Sequence, residues 1–263
     1  MKSIKEIINN RSIIWKLALN DFKSRYAGSF LGVVWAFVQP VVTVIIYAFI
    51  FGAGLKTLPS GNDYPFLLYL IAGIIPYFYV NDAINCATNS IIEYSYIIKK
   101  MVFDVKLLPI IKIVTSFFVH LFFILLSLVI FLLHGKFVNI YFIQIIYYCL
   151  CATFFSLGIT YFTSAINIFF RDMSQIVSII MQFMMWLTPI MYDLSMFPEW
   201  IGKILKFNPL YYIVNGYRDC FINNVWFFEH QMQTIYFWGV TIIIIFVGTK
   251  IFKKLKDNFS DVL

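Results

Sequence analysis

The stretch that decides the fold runs from Ile113 to Gly135 and reads IVTSFFVHLFFILLSLVIFLLHG, without one Asp, Glu, Lys or Arg. A helix needs roughly 20 apolar residues to cross about 30 Å of hydrocarbon, so this run is long enough to span a bilayer. Apolar side chains fill every face rather than every second position. That excludes a barrel strand, which would be about 10 residues long with strict alternation. Reading outward for uncharged runs adds Tyr26–Leu55, Tyr64–Asn81, Phe137–Phe170, Met173–Tyr192 and Gln231–Thr249. An all-α integral membrane protein with six transmembrane helices is expected, the slightly short second span extending past Asp82.

Composition agrees. Of 263 residues, 61% are hydrophobic and 13% charged, with 30 Phe, 17 Tyr and 6 Trp. Ordinary globular chains carry about 25% charged residues because their surface must be wetted. A mean hydropathy of +0.83 leaves too few polar groups for that. Disorder, collagen, a disulfide scaffold and a soluble enzyme are excluded, and one membrane domain over 1–263 is expected. The four cysteines (Cys86, Cys149, Cys151, Cys220) form no CxxC, so neither a metal site nor a disulfide framework is indicated. The basic N-terminal stretch lacks a short apolar core with a cleavage site, so a removable signal peptide is not expected.

The net charge of +7 comes from basic residues near the ends of apolar runs. That pattern suits a membrane surface rather than nucleic acid. With the N-terminus inside, the inner connections hold 15 Lys and Arg and the outer ones five (Lys56, Lys136, Lys203, Lys206, Arg218). The positive-inside rule then places both termini in the cytoplasm. The expected layout is a cytoplasmic interfacial helix in 1–25, spans one to five in 26–192, an outer gate region in 193–230, and the sixth span with a cytoplasmic tail in 231–263.

Two connections stand out. Residues 193–230 contain Phe197-Pro198-Glu199-Trp200, Asn208-Pro209 and many large apolar side chains. Short helices that dip back into the outer leaflet are expected, a re-entrant hairpin able to act as a pore lid; the alternative is a helix lying on the surface. The gate candidates are Pro198, Trp200, Asn208, Pro209 and Arg218. At the other end, Ile4 to Asn20 reads as an interfacial amphipathic helix. Ser24, Gly28, Gly32 and Ala36 then recur every four residues, predicting a small-residue stripe on which another helix packs closely.

Catalytic signatures are lacking. The three His (His120, His134, His230) show no HExxH spacing, and no acidic pair shares a helix face. Gly52-Ala53-Gly54-Leu55-Lys56-Thr57 resembles a phosphate-binding loop superficially, but Leu55 splits Gly from Lys. Polar groups inside spans are functional suspects because they are costly in lipid. Asn81, Asn85 and Asn89 share a stripe with Asp82 beside it, and would line an aqueous path or bond to a neighbouring helix. His120 reads as a satisfied helix contact. Aromatic side chains lie at mid-membrane depth where no interfacial belt requires them: Phe30, Trp35, Phe37 and Tyr47 in the first span, Tyr77 and Tyr79 in the second, Trp186 and Tyr192 in the fifth. Rings with polar tips suit sugars, whose hydroxyls cost a few kcal/mol each if carried unsatisfied through hydrocarbon. Phe30, Trp35, Phe37, Tyr47, Tyr77, Trp186 and Tyr192 are accordingly the candidate channel lining.

Asp21-Phe22-Lys23-Ser24-Arg25-Tyr26, then Gly28-Ser29-Phe30-Leu31-Gly32-Val33-Val34-Trp35 and Gln39-Pro40, resemble the opening of the ABC-2 type polysaccharide-export permeases. Arg171-Asp172, Pro189-Ile190-Met191-Tyr192, Pro198, Asn208-Pro209-Leu210 and Tyr217-Arg218 resemble the end of the same family. The family includes exporters of O-antigen, capsule and teichoic acid. The resemblance implies a homodimer around one channel in the bacterial inner membrane, driven by two copies of a separate cytoplasmic ATPase that binds ATP and Mg. It implies no cofactor and no catalysis in this chain, and contact with the ATPase through Glu93, Tyr94, Lys99, Lys100 and Asp104. The implied cargo is an undecaprenyl-diphosphate-linked glycan, O-antigen foremost. Lys23 and Arg25 are candidates for its headgroup, the alternative being ordinary positive-inside anchoring. Rival readings are export of a drug or small lipo-oligosaccharide and, from another class, a membrane-embedded enzyme of lipid or glycan synthesis.

Overall fold

A computed structural model describes residues 9–54, 64–96, 104–136 and 139–262. Lys99 and Lys100, the Leu55–Thr57 part of the loop-like motif, and the first residues of the expected interfacial helix lie outside them.

Among the described residues the regular secondary structure is all helical, with no strand. Helix α1 is Arg11–Arg25. It runs beyond the expected end at Asn20, and Lys23 and Arg25 in its last turn complement the negative helix terminus. Helix α2 is Trp35–Tyr47, preceded by a 3-10 turn at Gly32–Val34 and continued by a π-helical stretch at Ala48–Gly54. Helix α3 is Phe66–Glu93, α4 Leu107–Leu133, α5 Ile145–Asn167 and α6 Met173–Leu187. Two short helices follow, α7 at Glu199–Lys206 and α8 at Pro209–Arg218, before α9 at Gln231–Lys256.

Among the described residues five helical stretches are long and apolar enough to cross a membrane: Gly32–Phe51, Phe66–Glu93, Leu107–Leu133, Ile140–Asn167 and Phe227–Lys256. The second does continue past Asp82, to Glu93. The run expected as a fifth span, Met173–Tyr192, is a helix of only 15 residues. It stops because Thr188, at φ −94° and ψ 130°, precedes Pro189, and a residue before proline is pushed out of the α region. Fifteen residues reach only about 22 Å at 1.5 Å per residue.

The first span also begins later than expected. Residues 26–31 form turns, with Gly28 at φ +88° and Gly32 at φ +52°. A right-handed helix cannot pass through such residues, so the stripe predicted from Ser24, Gly28, Gly32 and Ala36 does not form. Among the described residues of this chain nothing lies within 4 Å of where a Cβ would stand at Gly28 or Gly32, so no described helix of the same chain packs on them. Close helix approach occurs instead between α5 and α9. A Cβ on Gly248 would lie 2.4 Å from the carbonyl oxygen of Gly158, and one on Gly158 would lie 2.9 Å from Ile245.

Helix α3 is the axis of the bundle, packed against α4, α5, α6 and α8. Its face from Leu68 to Ile84 is almost wholly buried, because apolar side chains surround it on every side. A second cluster, with Ile14, Ala18, Leu108, Ile111, Tyr161 and Phe252, fastens α1 to α4, α5 and α9. Helix α8 enters the main core through Leu210, Ile213, Val214 and Tyr217, whereas α7 leaves Trp200 and Ile204 exposed.

Candidate functional site: a polar cavity at the end of α1

Where α1 meets α3 and α4, two polar rungs sit one helical turn apart on α1 and on α4. Asp21 and Arg25 share one face of α1, as residues four apart must. In the first rung Lys112 Nζ donates to Asp21 Oδ1 at 2.6 Å and lies 2.5 Å from Glu93 Oε2, while Tyr94 Oη donates to the same Asp21 oxygen at 2.7 Å. In the second, Arg25 Nη1 donates to both oxygens of Asp82, at 3.1 and 3.0 Å, and Ser116 Oγ donates to Asp82 Oδ2. Lys112 and Ser116 are again four apart on one helix. Charges in the two rungs alternate, so each cation of one helix meets an anion of another.

These surroundings shift the ionisable groups of the α1 end. Burial works to raise the Asp21 carboxyl, but the hydrogen bonds from Lys112 and Tyr94 outweigh it and hold the group below its ordinary value. Burial works to lower the Arg25 guanidinium, yet the Asp82 carboxylate outweighs it and the charge is held more firmly. The Tyr94 hydroxyl is pushed up by burial and by Asp21.

The Lys112–Asp21 pair is 7% and 8% exposed. Removing one member of such a pair leaves an uncompensated buried charge, costing about 3–5 kcal/mol. Lys112→Met is expected to lower thermal stability of the detergent-purified protein by about that amount, and adding Asp21→Asn should recover a substantial part. An unchanged unfolding midpoint in the single variant would contradict the pairing.

Beside the second rung lies a cavity of about 210 Å³. Gln39 and Thr43 of α2, Asn81 and Asp82 of α3, Ser116 and His120 of α4, and Tyr26 contribute polar groups; Trp35, Phe78, Tyr79 and Phe123 contribute rings. The mixture offers hydrogen bonds and flat apolar faces together. Among the described residues no group of three or more His, Cys, Asp or Glu could hold a metal ion.

The candidate residues named from sequence fall into distinct settings. Arg25 pairs with Asp82, which lines the cavity, whereas Lys23 is solvent-exposed two residues earlier. Of the channel-lining candidates, Trp35 lines the cavity. Phe30 projects fully from the turn after α1, and Trp186 is exposed on α6. Phe37 packs on Phe122 with ring centroids 4.1 Å apart, and Tyr47 meets Phe51 edge-on. Tyr77 is buried, its hydroxyl donating to Met181 O at 2.6 Å, and Tyr192 donates to Trp186 O at 2.7 Å. Within one chain these seven do not form a single wall.

Glu93 and Tyr94 join the first rung, and Asp104 pairs with Lys256 at 3.2 Å, tying the start of α4 to the end of α9. In the gate region, Pro198 precedes α7 and Asn208 caps α8, its Oδ1 accepting from Leu210 N at 3.0 Å, with Pro209 in the first turn. Asn208 Nδ2 also donates to Thr188 Oγ1 at 2.8 Å, joining the α7–α8 corner to the break after α6. Arg218 is buried with its guanidinium 3.7 Å over the Tyr69 ring, and Nη2 donates to Ile190 O at 2.8 Å. Gly73 makes the room, since a Cβ there would stand 2.8 Å from Arg218 Nη2.

The asparagine stripe divides its work. Asn81 lines the cavity, Asn85 Oδ1 accepts from Ser178 Oγ at 2.8 Å, and Asn89 Oδ1 accepts from Asn167 Nδ2 at 3.0 Å. His120 is a helix contact, with Nε2 2.6 Å from Tyr217 Oη and its ring stacked on Tyr79. Sequence reading did not single out Gln39, Thr43 or Ser116 as site residues, and no spacing marks them. Lys112 reads in the sequence only as part of the inside charge.

Several long apolar helices around a polar cavity define the class: a multi-pass α-helical membrane protein of the permease kind. The ABC-2 type transporter family matches residues 13–222, and the chain belongs to that family, in its polysaccharide-export branch. It is 30% identical over 245 residues to the O-antigen export system permease protein RfbA of Klebsiella pneumoniae, covering 92% of each chain. A Myxococcus xanthus protein of the same name is 23% identical over 267 residues, covering 99% of each. The polysialic acid transport protein KpsM of Escherichia coli is 21% identical over 246 residues, covering 92% of each.

Proposed function

We propose that this chain is the membrane permease subunit of an ABC exporter that carries O-antigen, joined to undecaprenyl diphosphate, across the bacterial inner membrane. The observation that carries the cargo is the end-to-end likeness to O-antigen export permeases, 30% identical over 92% of both chains. The weaker likeness to KpsM supports capsular polysaccharide as a second reading.

In this reading two copies of the chain enclose the channel, and two copies of a cytoplasmic ATPase supply ATP and Mg chemistry. Both termini face the cytoplasm. Helix α6 with the residues after it completes a sixth crossing, and α7 and α8 form a re-entrant gate. Glu93, Tyr94, Lys99, Lys100 and Asp104 are assigned to contact with the ATPase. The exposed face of α6, with Ile176, Ile179, Ile180, Phe183 and Trp186, is apolar, as contact with lipid or with a second copy requires. Arg25 receives the diphosphate, because a guanidinium offers a forked, permanently charged donor set. ATP acts by favouring one conformation, and the rungs joining α1 to the ends of α3 and α4 are the contacts able to pass that preference to the cavity.

The test is chemical. Cells lacking the chain are expected to accumulate a prenyl-diphosphate-linked O-antigen glycan on the cytoplasmic face of the inner membrane. Accumulated capsular glycan would select the second reading, and no accumulated glycan of either kind would sink both.

A further inference from the structure

Asp82 stands where an anionic ligand of Arg25 would stand. Besides the Arg25 bonds, its Oδ2 accepts from Ser116 Oγ and its Oδ1 from Cys86 Sγ at 3.4 Å, so a guanidinium, a hydroxyl and a thiol converge on one carboxylate. That carboxylate forms part of the wall of the cavity of about 210 Å³, next to Tyr26, Gln39 and Asn81. The pair is only part-buried, at 20% and 39% exposure, so it can open without stranding either charge away from water. Arg25 also gives the carboxylate Nη1 alone, while Nη2 is buried without a hydrogen-bond partner. A guanidinium binds most strongly when two nitrogens donate in parallel, and a diphosphate has enough oxygens to accept from both.

We propose that Asp82 is an internal counter-anion that sets which headgroups Arg25 accepts. In the unloaded permease it holds Arg25. A diphosphate, carrying more charge and more acceptor oxygens than a carboxylate, displaces it, and Asp82 then keeps the hydroxyl of Ser116 and the thiol of Cys86. A phospholipid headgroup with one negative charge does not displace it, so bulk anionic lipid is kept out of the cavity. This rests on the reading of Arg25 as the headgroup residue.

The experiment uses the full-length permease with its ATPase subunit in nanodiscs of neutral lipid, titrated with geranylgeranyl diphosphate and, separately, with inorganic pyrophosphate; a parallel set contains phosphatidylglycerol. A ligand that must first release a competing contact binds more weakly by the fraction of competent molecules, so Asp82→Asn is expected to tighten geranylgeranyl diphosphate about tenfold. Phosphatidylglycerol should compete with the probe in Asp82→Asn and not in the wild type, and Asp82→Glu should behave as wild type. A gain for geranylgeranyl diphosphate alone identifies a lipid headgroup as the ligand, and a gain for both probes identifies any diphosphate; either supports the exchange. If the asparagine variant does not reach the membrane, Asp82→Ser is read in its place. Unchanged or weaker binding in these variants, with binding abolished by Arg25→Ala, overturns the role of Asp82 and leaves the headgroup reading standing. Intact binding in Arg25→Ala overturns the headgroup reading itself.

Discussion

Arg25→Ala is expected to reduce glycan export at least tenfold while the protein reaches the membrane at near its normal level. Hydrogen bonds to charged groups contribute about 1.5–3 kcal/mol, and every 1.4 kcal/mol is a factor of ten, so loss of the guanidinium predicts a fall of about ten- to hundredfold. Folding should tolerate the change because Asp82 is 39% exposed and keeps Ser116 and Cys86 as donors. Arg25→Lys should fall between, keeping the charge and losing the fork. Lys23→Ala should be nearly silent, because the Lys23 side chain is solvent-exposed. Export is read as surface O-antigen per cell against membrane levels of the chain. Full export by Arg25→Ala would remove the headgroup assignment.

Gly248→Ala is expected to damage the fold itself. The added methyl would meet the Gly158 carbonyl oxygen at 2.4 Å and Phe162 N at 3.3 Å. Both are backbone atoms of α5, so no rotamer change relieves the clash and α5 and α9 must move apart. Overpacking of this kind costs about 1–3 kcal/mol and often more where backbone must shift. At about 2–4 °C per kcal/mol for a chain of this size, the unfolding midpoint of the purified protein should drop by several degrees. Gly239→Ala, on the same helix with nothing within 4 Å of its Cβ position, is the matched control and should leave the midpoint unchanged. Equal midpoints for the two variants would show that the α5–α9 crossing is looser than described.

The contrast between the two sets of glycines shows what spacing can and cannot carry. Gly28 and Gly32 fit a four-residue repeat, yet both adopt positive φ in the turn between α1 and α2. Gly158 and Gly248 fit no repeat, and each is decided by the facing helix about 90 residues away in sequence, Gly248 by the Gly158 carbonyl oxygen and Gly158 by Ile244 and Ile245. The fifth apolar run shows a similar limit. Its composition reads straight through Tyr192, but the steric effect of Pro189 on Thr188 ends the helix at Leu187.

The candidate site was legible in one half only. Arg25 is marked by its motif and its place at the end of a basic helix, and Asp82 by being an acid inside an apolar run. Their pairing is not marked, nor are Ser116 and Lys112, which lie in a run that reads as plain membrane helix apart from the lysine at its edge. Tyr77 reads as a mid-membrane aromatic free to face a channel, but the backbone carbonyl of Met181 takes its hydroxyl inside one chain.

Sequence by itself determined that lipid is the main solvent of this protein, that its crossings are helical, and to which family it bears likeness, because those follow from how many consecutive residues avoid charge and from contiguous motifs. Only the tertiary structure decided which polar groups meet, since α1, α3 and α4 bring Arg25, Asp82 and Ser116 together across 34 and 57 residues of chain, and hydrogen bonding acts over about 3 Å whatever the sequence separation.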